Sequence, residues 1–418
     1  FGGTAGLNIS NSEGLHISGL SINYYNPPHG RLGVPGITYN LLNCTNVVSE
    51  DITIYKAPFF SVTAFNGGGG HVFRRFFMPN DTATDPETGR PDDLYPHQRD
   101  AFHFTDLRQG VTVEDSYASG FGDDFYNSHN TIQIVLRRES ATSLLVINPH
   151  LQNVKKAKGQ KVIQNRNSVY GTNCVAQDLR RGDRVSFFGC PKCLSSNGPS
   201  RKKGEPPCAE GDFVPARVGS DASVVLGAPE EVTEDEALDD AAALARNMTA
   251  EYSFTQFDAS DIWRVRFTAA LPEAVGQGTL INLDSFSTPG TVIRNNSFHH
   301  TRYNLGRFKS SGGQIINNFF STANSKNLEI SPLLQFFEGP LPFVRDVLVS
   351  GNTFLGEGAD PIHCSTMCGA SLPGNGSLLC PSCAKSPWAK NITLSGNHIV
   401  LKLDDASSAT CLPGEMGG

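Results

Sequence analysis

The chain has 418 residues, of which 39% are hydrophobic and 18% are charged, and its formal net charge is −7. This composition excludes a disordered chain and allows a large buried core. The negative charge argues against a nucleic-acid partner, and no apolar stretch is long enough to span a bilayer, so we expect neither nucleic acid nor a membrane span.

A short apolar pattern recurs along the chain. An apolar residue is followed three positions later by Asn or another apolar residue, and two positions after that by a further apolar residue. It occurs at Ile17-x-x-Leu20-x-Ile22, Phe73-x-x-Phe76-x-Met78, Ile293-x-x-Asn296-x-Phe298, Ile315-x-x-Asn318-x-Phe320, Val349-x-x-Asn352-x-Phe354 and Leu394-x-x-Asn397-x-Ile399.

Repeats in the low twenties are typical of leucine-rich repeats and of parallel β-helices. Leu does not dominate here, the repeated residues are strand-like, and no helical pattern follows each strand. The sequence therefore predicts an all-β fold, a right-handed parallel β-helix. A β-sandwich would require hairpin turns every ~8–12 residues, and such turns are scarce.

The pattern divides the chain into three parts. Residues 1–132 are predicted to form the first part of the β-helix, and residues 289–418 its remaining coils with a Cys-rich excursion near the C-terminal end. Residues 133–288 do not follow the repeat and are predicted to form an inserted, small, β-rich and barrel-like domain. Within it, Thr233-x-x-Glu236 is a capping box that predicts a short helix ending near Arg246.

Asp100 and the pair Asp123-Asp124 are spaced by 23 residues, about the length of one predicted coil. Residues one coil apart would stack on the surface about 4.8 Å from each other. Like charges at that distance shift each other's pKa values, as an acid/base pair requires. Asp123-Asp124 alone would more often be part of a turn, but the third Asp favours a functional site.

Two facing carboxyl groups are the chemistry of glycoside hydrolysis, in which one protonates the leaving oxygen and the other activates water or attacks the sugar. We expect Asp100 and Asp124 to hold and deprotonate water, and Asp123 to donate the proton. Other residues of these and later coils are predicted to bind substrate, and His103 or His129 alternatively to orient a carboxylate. The predicted binding residues are His103, Asn127, His129, Arg302, Lys309 and Glu338, with Glu329 as a further groove residue.

The ten Cys residues form two clusters plus Cys44. Cys364-x3-Cys368 with Cys380-x2-Cys383 could bind Zn²⁺. Disulfides of a secreted protein explain the clusters equally well, and seven Asn-x-Ser/Thr sequons favour them, so we expect a secreted or secretory-pathway protein. The sequons are at Asn8, Asn43, Asn80, Asn247, Asn295, Asn375 and Asn391.

Three segments around the Asp residues, 100–104, 108–115 and 122–129, resemble the family-110 glycoside hydrolases, β-helix enzymes that remove terminal α-galactose with inversion. The stretch from Arg302 through Ser310-Ser311-Gly312-Gly313 to Glu338-Gly339 and the β-rich insertion are also similar. The resemblance implies that Asp100, Asp123 and Asp124 are the catalytic carboxylates, that the partner is a galactose-containing glycan, and that no metal or cofactor is needed. Ala101 stands where Gly is usual, and Asn304 where a second Arg is expected.

Two alternatives remain open at this point. A polysaccharide lyase would hold Ca²⁺ at the Asp cluster and use Arg or Lys as the base. A non-catalytic glycan-binding protein would have the same groove but would not cleave the glycan.

Overall fold

A computed structural model describes residues 6–23, 37–80, 96–147, 179–188, 230–231, 262–273, 275–277, 279–323, 326–330, 339, 344–356, 362–363 and 389–401. These residues form strands and one short 3-10 helix, Asp284–Phe286. The chain is therefore all-β over the part described, as the sequence predicts. No helix within these ranges has the length and hydropathy needed to cross a bilayer.

In chain order the strands are β1 (Leu7–Ser10), β2 (His16–Ser18), β3 (Ser21–Ile22), β4 (Tyr39–Leu42), β5 (Val48–Ile54), β6 (Val62–Phe65), β7 (Val72–Met78), β8 (Phe102–Thr105), β9 (Thr112–Glu114), β10 (Tyr117–Phe121), β11 (Tyr126–His129), β12 (Gln133–Ser140), β13 (Ser143–Ile147), β14 (Val185–Phe188), β15 (Glu230–Glu231), β16 (Ile262–Arg266), β17 (Leu280–Leu283), β18 (Val292–Arg294), β19 (Ser297–Thr301), β20 (Asn304–Phe308), β21 (Gln314–Ile316), β22 (Phe319–Ala323), β23 (Lys326–Glu329), β24 (Val344–Ser350), β25 (Thr353–Gly356), β26 (Ile362–His363), β27 (Ala389–Ser395) and β28 (His398–Leu401).

Over the described ranges, two large sheets are built from parallel pairs. The first has eight strands in the order β1-β4-β6-β8-β11-β20-β23-β26. The second has fourteen strands, with β27-β24-β21-β18-β9-β7-β10-β19-β22-β25-β28 as its main path and β2, β3 and β5 attached through β7. The chain contributes strands to the two sheets in turn. One strand or strand pair of the larger sheet together with the following strand of the smaller sheet is called a pass, and each pass lies parallel to the next one.

The hydrophobic core draws side chains from both parallel sheets. Some of its rings pack between register partners of neighbouring parallel strands. Phe298 lies 5.4 Å from Phe320, and Phe320 lies 5.1 Å from Phe354, between ring centroids in each case. The repeated Asn positions form a buried ladder, in which Asn318 Oδ1 accepts from the backbone and side-chain N–H groups of Asn296. These contacts explain the apolar and Asn positions of the sequence pattern.

The passes on either side of residues 133–288 are direct neighbours. Tyr117 of β10 is paired in parallel with Ser297 of β19, and Thr112 of β9 with Val292 of β18. The long intervening segment therefore leaves the stacking of the parallel passes intact, and it brings residues 180 positions apart into register.

The described part of the intervening segment forms a six-stranded antiparallel sheet in the order β14-β17-β12-β13-β16-β15, with its own hydrophobic core. Its end strands β14 and β15 do not pair with each other in the portion described, so the expected barrel-like closure is wrong and the sheet is open. Arg108 joins this unit to the parallel sheets through two bonds of 2.6 and 2.7 Å to Asp183. The helix predicted to begin at Thr233 lies outside the described residues.

Most of the Cys residues also fall outside the described ranges, so the choice between Zn²⁺ and disulfides stays open. Cys44 is the exception and is a buried free thiol.

Candidate active site

Asp100 and Asp124 lie opposite each other, each two residues before a strand of the eight-stranded sheet. Phe102 of β8 is paired with Tyr126 of β11, and the Ala101 N–H donates to the Asp124 carbonyl at 3.0 Å. The step between the two passes is therefore 24 residues. The 23-residue spacing seen in the sequence is one residue short of it, and Asp124 rather than Asp123 is the register partner of Asp100.

Glycine makes this close stacking possible. A Cβ atom built on Gly122 would lie 2.5 Å from the carbonyl oxygen of Gln98 on the preceding pass. The Gly122 N–H donates to the His97 carbonyl at 2.7 Å. Any side chain at this position would push the Asp123-Asp124 segment away from Asp100.

One oxygen from each of Asp100, Asp123 and Asp124 lies within 4.8 Å of the other two. Asp100 is 2% exposed and Asp124 is 1% exposed, whereas the Asp123 side chain is 19% exposed. The cluster thus consists of a buried pair and a third carboxylate on the side open to solvent.

Every oxygen of the buried pair contacts a polar protein group. Asp100 Oδ1 accepts from the Asp124 N–H at 3.3 Å, and Asp100 Oδ2 lies 2.7 Å from Nδ1 of His103. Asp124 Oδ1 accepts from the side-chain amide of Asn304 at 2.8 Å and from its backbone N–H at 3.2 Å. Asp124 Oδ2 lies 3.3 Å from Nε of Arg307.

The pKa values of both buried carboxyls are raised. Burial raises the pKa of Asp100 well above its ordinary value, and the charge of Asp123 raises it further. Burial likewise raises the pKa of Asp124, while Arg307 opposes the rise and the neighbouring carboxylates add to it. A carboxyl pair of this kind binds a proton at a higher pH than an exposed Asp, so its ionised form is a stronger base.

Asp123 is held at the rim of the cluster. Its Oδ2 accepts a bond of 2.9 Å from Arg99, whose guanidinium lies 5.4 Å from the centroid of the Phe59 ring. The Thr301 hydroxyl donates to the Asp123 carbonyl. The side chain and backbone of Asp123 are therefore both anchored, with the carboxylate left partly open.

Four of the predicted binding residues lie around the buried pair. Asn127 is the register partner of His103, and its Oδ1 accepts from Nζ of Lys309 at 3.2 Å. His129 Nε2 lies 3.3 Å from the hydroxyl of Thr105, and its ring packs edge-on against His103 at 5.3 Å. All four side chains are buried.

The other two predicted binding residues are not in this group. Arg302 is exposed, and its guanidinium lies 5.5 Å from the ring centroid of Tyr303. Glu338 is outside the described residues, although the N–H of the adjacent Gly339 donates to the Asn130 carbonyl at 2.8 Å.

Sequence reasoning missed Arg307 and the role of Asn304. Asn304 stands where a second Arg was expected, yet it donates two bonds to Asp124. The cationic partner of Asp124 is Arg307, which also lies 3.6 Å from Glu329. The signal that would have found Arg307 is its register with Asn127 in the parallel sheet, which becomes visible only when the pass beyond the intervening segment is aligned.

The three carboxylates could also chelate a divalent cation, since their oxygens converge. Protein groups already compensate them, however: Arg307 and Asn304 at Asp124, Arg99 at Asp123, and His103 beside Asp100. The arrangement therefore fits proton transfer better than chelation.

No family model matches the sequence, and no curated protein matches it either.

Proposed function

We propose that this chain is a glycoside hydrolase that removes terminal α-galactosyl residues from a glycan with inversion. In this proposal the two parallel sheets are faces of a right-handed parallel β-helix, which presents the Asp cluster in a groove. The observation that carries the proposal is the pairing of two buried carboxylates of raised pKa with a third, partly open carboxylate within 4.8 Å. The α-galactosyl specificity comes from the resemblance of the segments around Asp100, Asp123 and Asp124 to the family-110 enzymes.

The proposed reaction uses the buried and open carboxylates differently. A water molecule bound to Asp100 and Asp124 attacks the anomeric carbon and gives one proton to this pair. At the same time the glycosidic C–O bond breaks, and Asp123 gives its proton to the leaving oxygen. Asp123 suits the donor role because it is the member of the cluster that a substrate can reach from the open side. The step requires Asp123 to carry a proton in the substrate complex, whereas the ionised form contacts Arg99 and acts on the pKa of Asp100 in the free protein.

The distances alone would favour retention. Carboxylates of inverting enzymes stand about 6.5–9.5 Å apart, and those of retaining enzymes about 5–5.5 Å, whereas the nearest oxygens here lie within 4.8 Å. Retention requires one carboxylate to bond directly to the sugar. All four oxygens of Asp100 and Asp124 already contact polar protein groups, so in this proposal the nucleophile is a water held by the pair.

Proton NMR of freshly formed product from a panel of α-galactosides tests both the activity and its stereochemistry. We expect β-galactose to form first and α-galactose to follow by mutarotation. Initial α-galactose would contradict inversion, and binding without any product across the panel would contradict hydrolysis.

The convergence of three carboxylates beside Arg307 and Lys309 also supports a second candidate, a Ca²⁺-dependent polysaccharide lyase. That enzyme would lose activity in chelator and would release an unsaturated product that absorbs ultraviolet light. Activity that persists in chelator, with no such absorbance, would exclude it.

A further inference from the structure

His103 lies against the proposed base through one ring nitrogen. Its Nδ1 is 2.7 Å from Oδ2 of Asp100, and both side chains are 3% exposed. His103 is on β8 and Asp100 lies two residues before this strand, so the two side chains are close in the sequence as well as in space. The Asp124 N–H contacts the other oxygen of Asp100 at 3.3 Å. The plane of the Asp100 carboxylate is therefore defined by one contact at each oxygen.

The imidazole of His103 is confined by other rings. Phe60 lies 4.4 Å from it between centroids, His129 lies 5.3 Å away and edge-on, and Phe65 lies 5.9 Å away. Because packed interiors leave little room for movement, these rings limit the rotation of the His103 imidazole and favour the contact through Nδ1.

We infer that His103 is a positioning residue, which orients Asp100 by donating its Nδ1–H to the carboxylate, and that it does not bind the sugar. The inference rests on the proposed function, since it concerns the base of that reaction. An ionised carboxylate can only accept hydrogen bonds, so Nδ1 must carry the hydrogen whenever Asp100 is ready to take a proton from water. Loss of this donor would let Asp100 rotate away from the water, and a displacement of about 1 Å can lower turnover about 10²-fold.

Two substitutions separate the roles of the two ring nitrogens. Asn places its amide nitrogen near the position of Nδ1, whereas Gln places its amide nitrogen near that of Nε2. With an aryl α-galactoside as substrate, we expect His103→Asn to keep kcat within about tenfold of the unmodified protein. His103→Gln and His103→Ala should lower kcat about 10²-fold, with KM changed less than about threefold.

The opposite pattern would overturn the inference. If His103→Gln keeps kcat while His103→Asn raises KM about tenfold, then His103 contacts the sugar through Nε2. If Asn and Gln cause equal losses of kcat, the Nδ1 donor has no special role. Asp100→Asn serves as the reference: if it retains full turnover, the proposed function fails, and if it is inactive while Asn and Gln behave alike at position 103, only the role of His103 fails.

Neutron diffraction from crystals of the unmodified protein gives an independent test that does not depend on how the variants fold. We expect a deuterium on Nδ1 of His103, directed at Oδ2 of Asp100. A deuterium on Oδ2, directed at a bare Nδ1, would overturn the inference because His103 would then be the acceptor.

Discussion

Nε of Arg307 lies 3.3 Å from Oδ2 of Asp124, although the two residues are 183 positions apart in the chain. The contact forms because β20 is paired in parallel with β11, although the six-stranded unit lies between these two strands in the sequence. Arg307 also lies 3.6 Å from Glu329 on the next pass. One cation thus links the proposed base to a second acid, and it opposes the rise that burial causes in the pKa of Asp124.

The first prediction is that Arg307→Met shifts the acidic limb of the kcat/KM profile to higher pH. Without the guanidinium, the pKa of Asp124 rises further, and a base is active only when ionised. A pH series of initial rates on an α-galactoside measures the limb. Arg345→Met is the matched control, because Arg345 is exposed on β24. A limb that stays in place or moves to lower pH would show that Asp124 is not part of the base.

The second prediction concerns the carboxylates themselves. Asp123→Asn and Asp124→Asn should each lower turnover about 10³-fold or more, because a proton donor or a base is lost. Asp115→Asn is the control: Asp115 is an exposed carboxylate on the turn before β10, and this variant should stay within about twofold of the unmodified protein. Circular dichroism checks that the variants are folded. Near-normal turnover in either Asp123→Asn or Asp124→Asn would refute the assignment.

The repeated passes could be predicted from the sequence because the apolar and Asn residues recur at the spacing of one pass. Ile293 is paired with Ile315 and Phe298 with Phe320, which is the 22-residue step that the Asn positions indicate. The convergence of Asp100 with the Asp123-Asp124 pair follows from the same logic, since one pass separates them.

The rest of the site depends on pairings that no local pattern encodes. Arg307 and Asn304 contact Asp124 although an intervening segment of more than a hundred residues separates them in the sequence. The repeat spacing does not predict this contact, because the sequence alone does not fix where that segment begins and ends. The antiparallel sheet, which is open over the part of the chain described, shows a related limit. Strand propensity predicts β12, β13 and β16 individually, whereas closure depends on whether the end strands meet, which their own sequences do not determine.

The third prediction tests the Asn ladder. Asn318 Oδ1 accepts from the Asn296 N–H at 2.9 Å, and Asn318 Nδ2 donates to the Ile293 carbonyl at 2.9 Å. Asn318→Leu would leave these buried groups without their partner, and we expect a loss of about 3–5 kcal/mol in the free energy of unfolding. Urea unfolding followed by circular dichroism measures it.

The control for the ladder is the neighbouring Asn317, which is exposed and has a φ of 55°. Asn317→Gly keeps that left-handed conformation accessible and should change stability by less than about 1 kcal/mol. Equal losses at positions 317 and 318 would mean that the turn, and not the buried ladder, carries the stability.

The fourth prediction links the raised pKa of Asp100 to stability. A carboxyl whose pKa is higher in the folded protein than in the unfolded chain stabilises the fold at low pH. That contribution is lost as the pH rises from the ordinary Asp value of about 4 through the raised value, at about 1.4 kcal/mol per unit of pKa difference. Burial is the main cause of the rise and the Asp123 charge the next, so the neutral Asn of Asp100→Asn avoids the cost of a buried charge.

The melting temperature of Asp100→Asn should therefore rise relative to that of the unmodified protein as the pH increases from 5 to 8, and thermal unfolding across this range measures the difference. Asp115→Asn, at an exposed carboxylate, is the control for the Asp-to-Asn substitution itself. If the difference for Asp100→Asn is flat, the Asp100 carboxyl does not titrate in this range and is not poised as a base near neutral pH. If it rises as expected, the same burial that prepares the carboxylate pair to take a proton from water also lowers the stability of the fold around it.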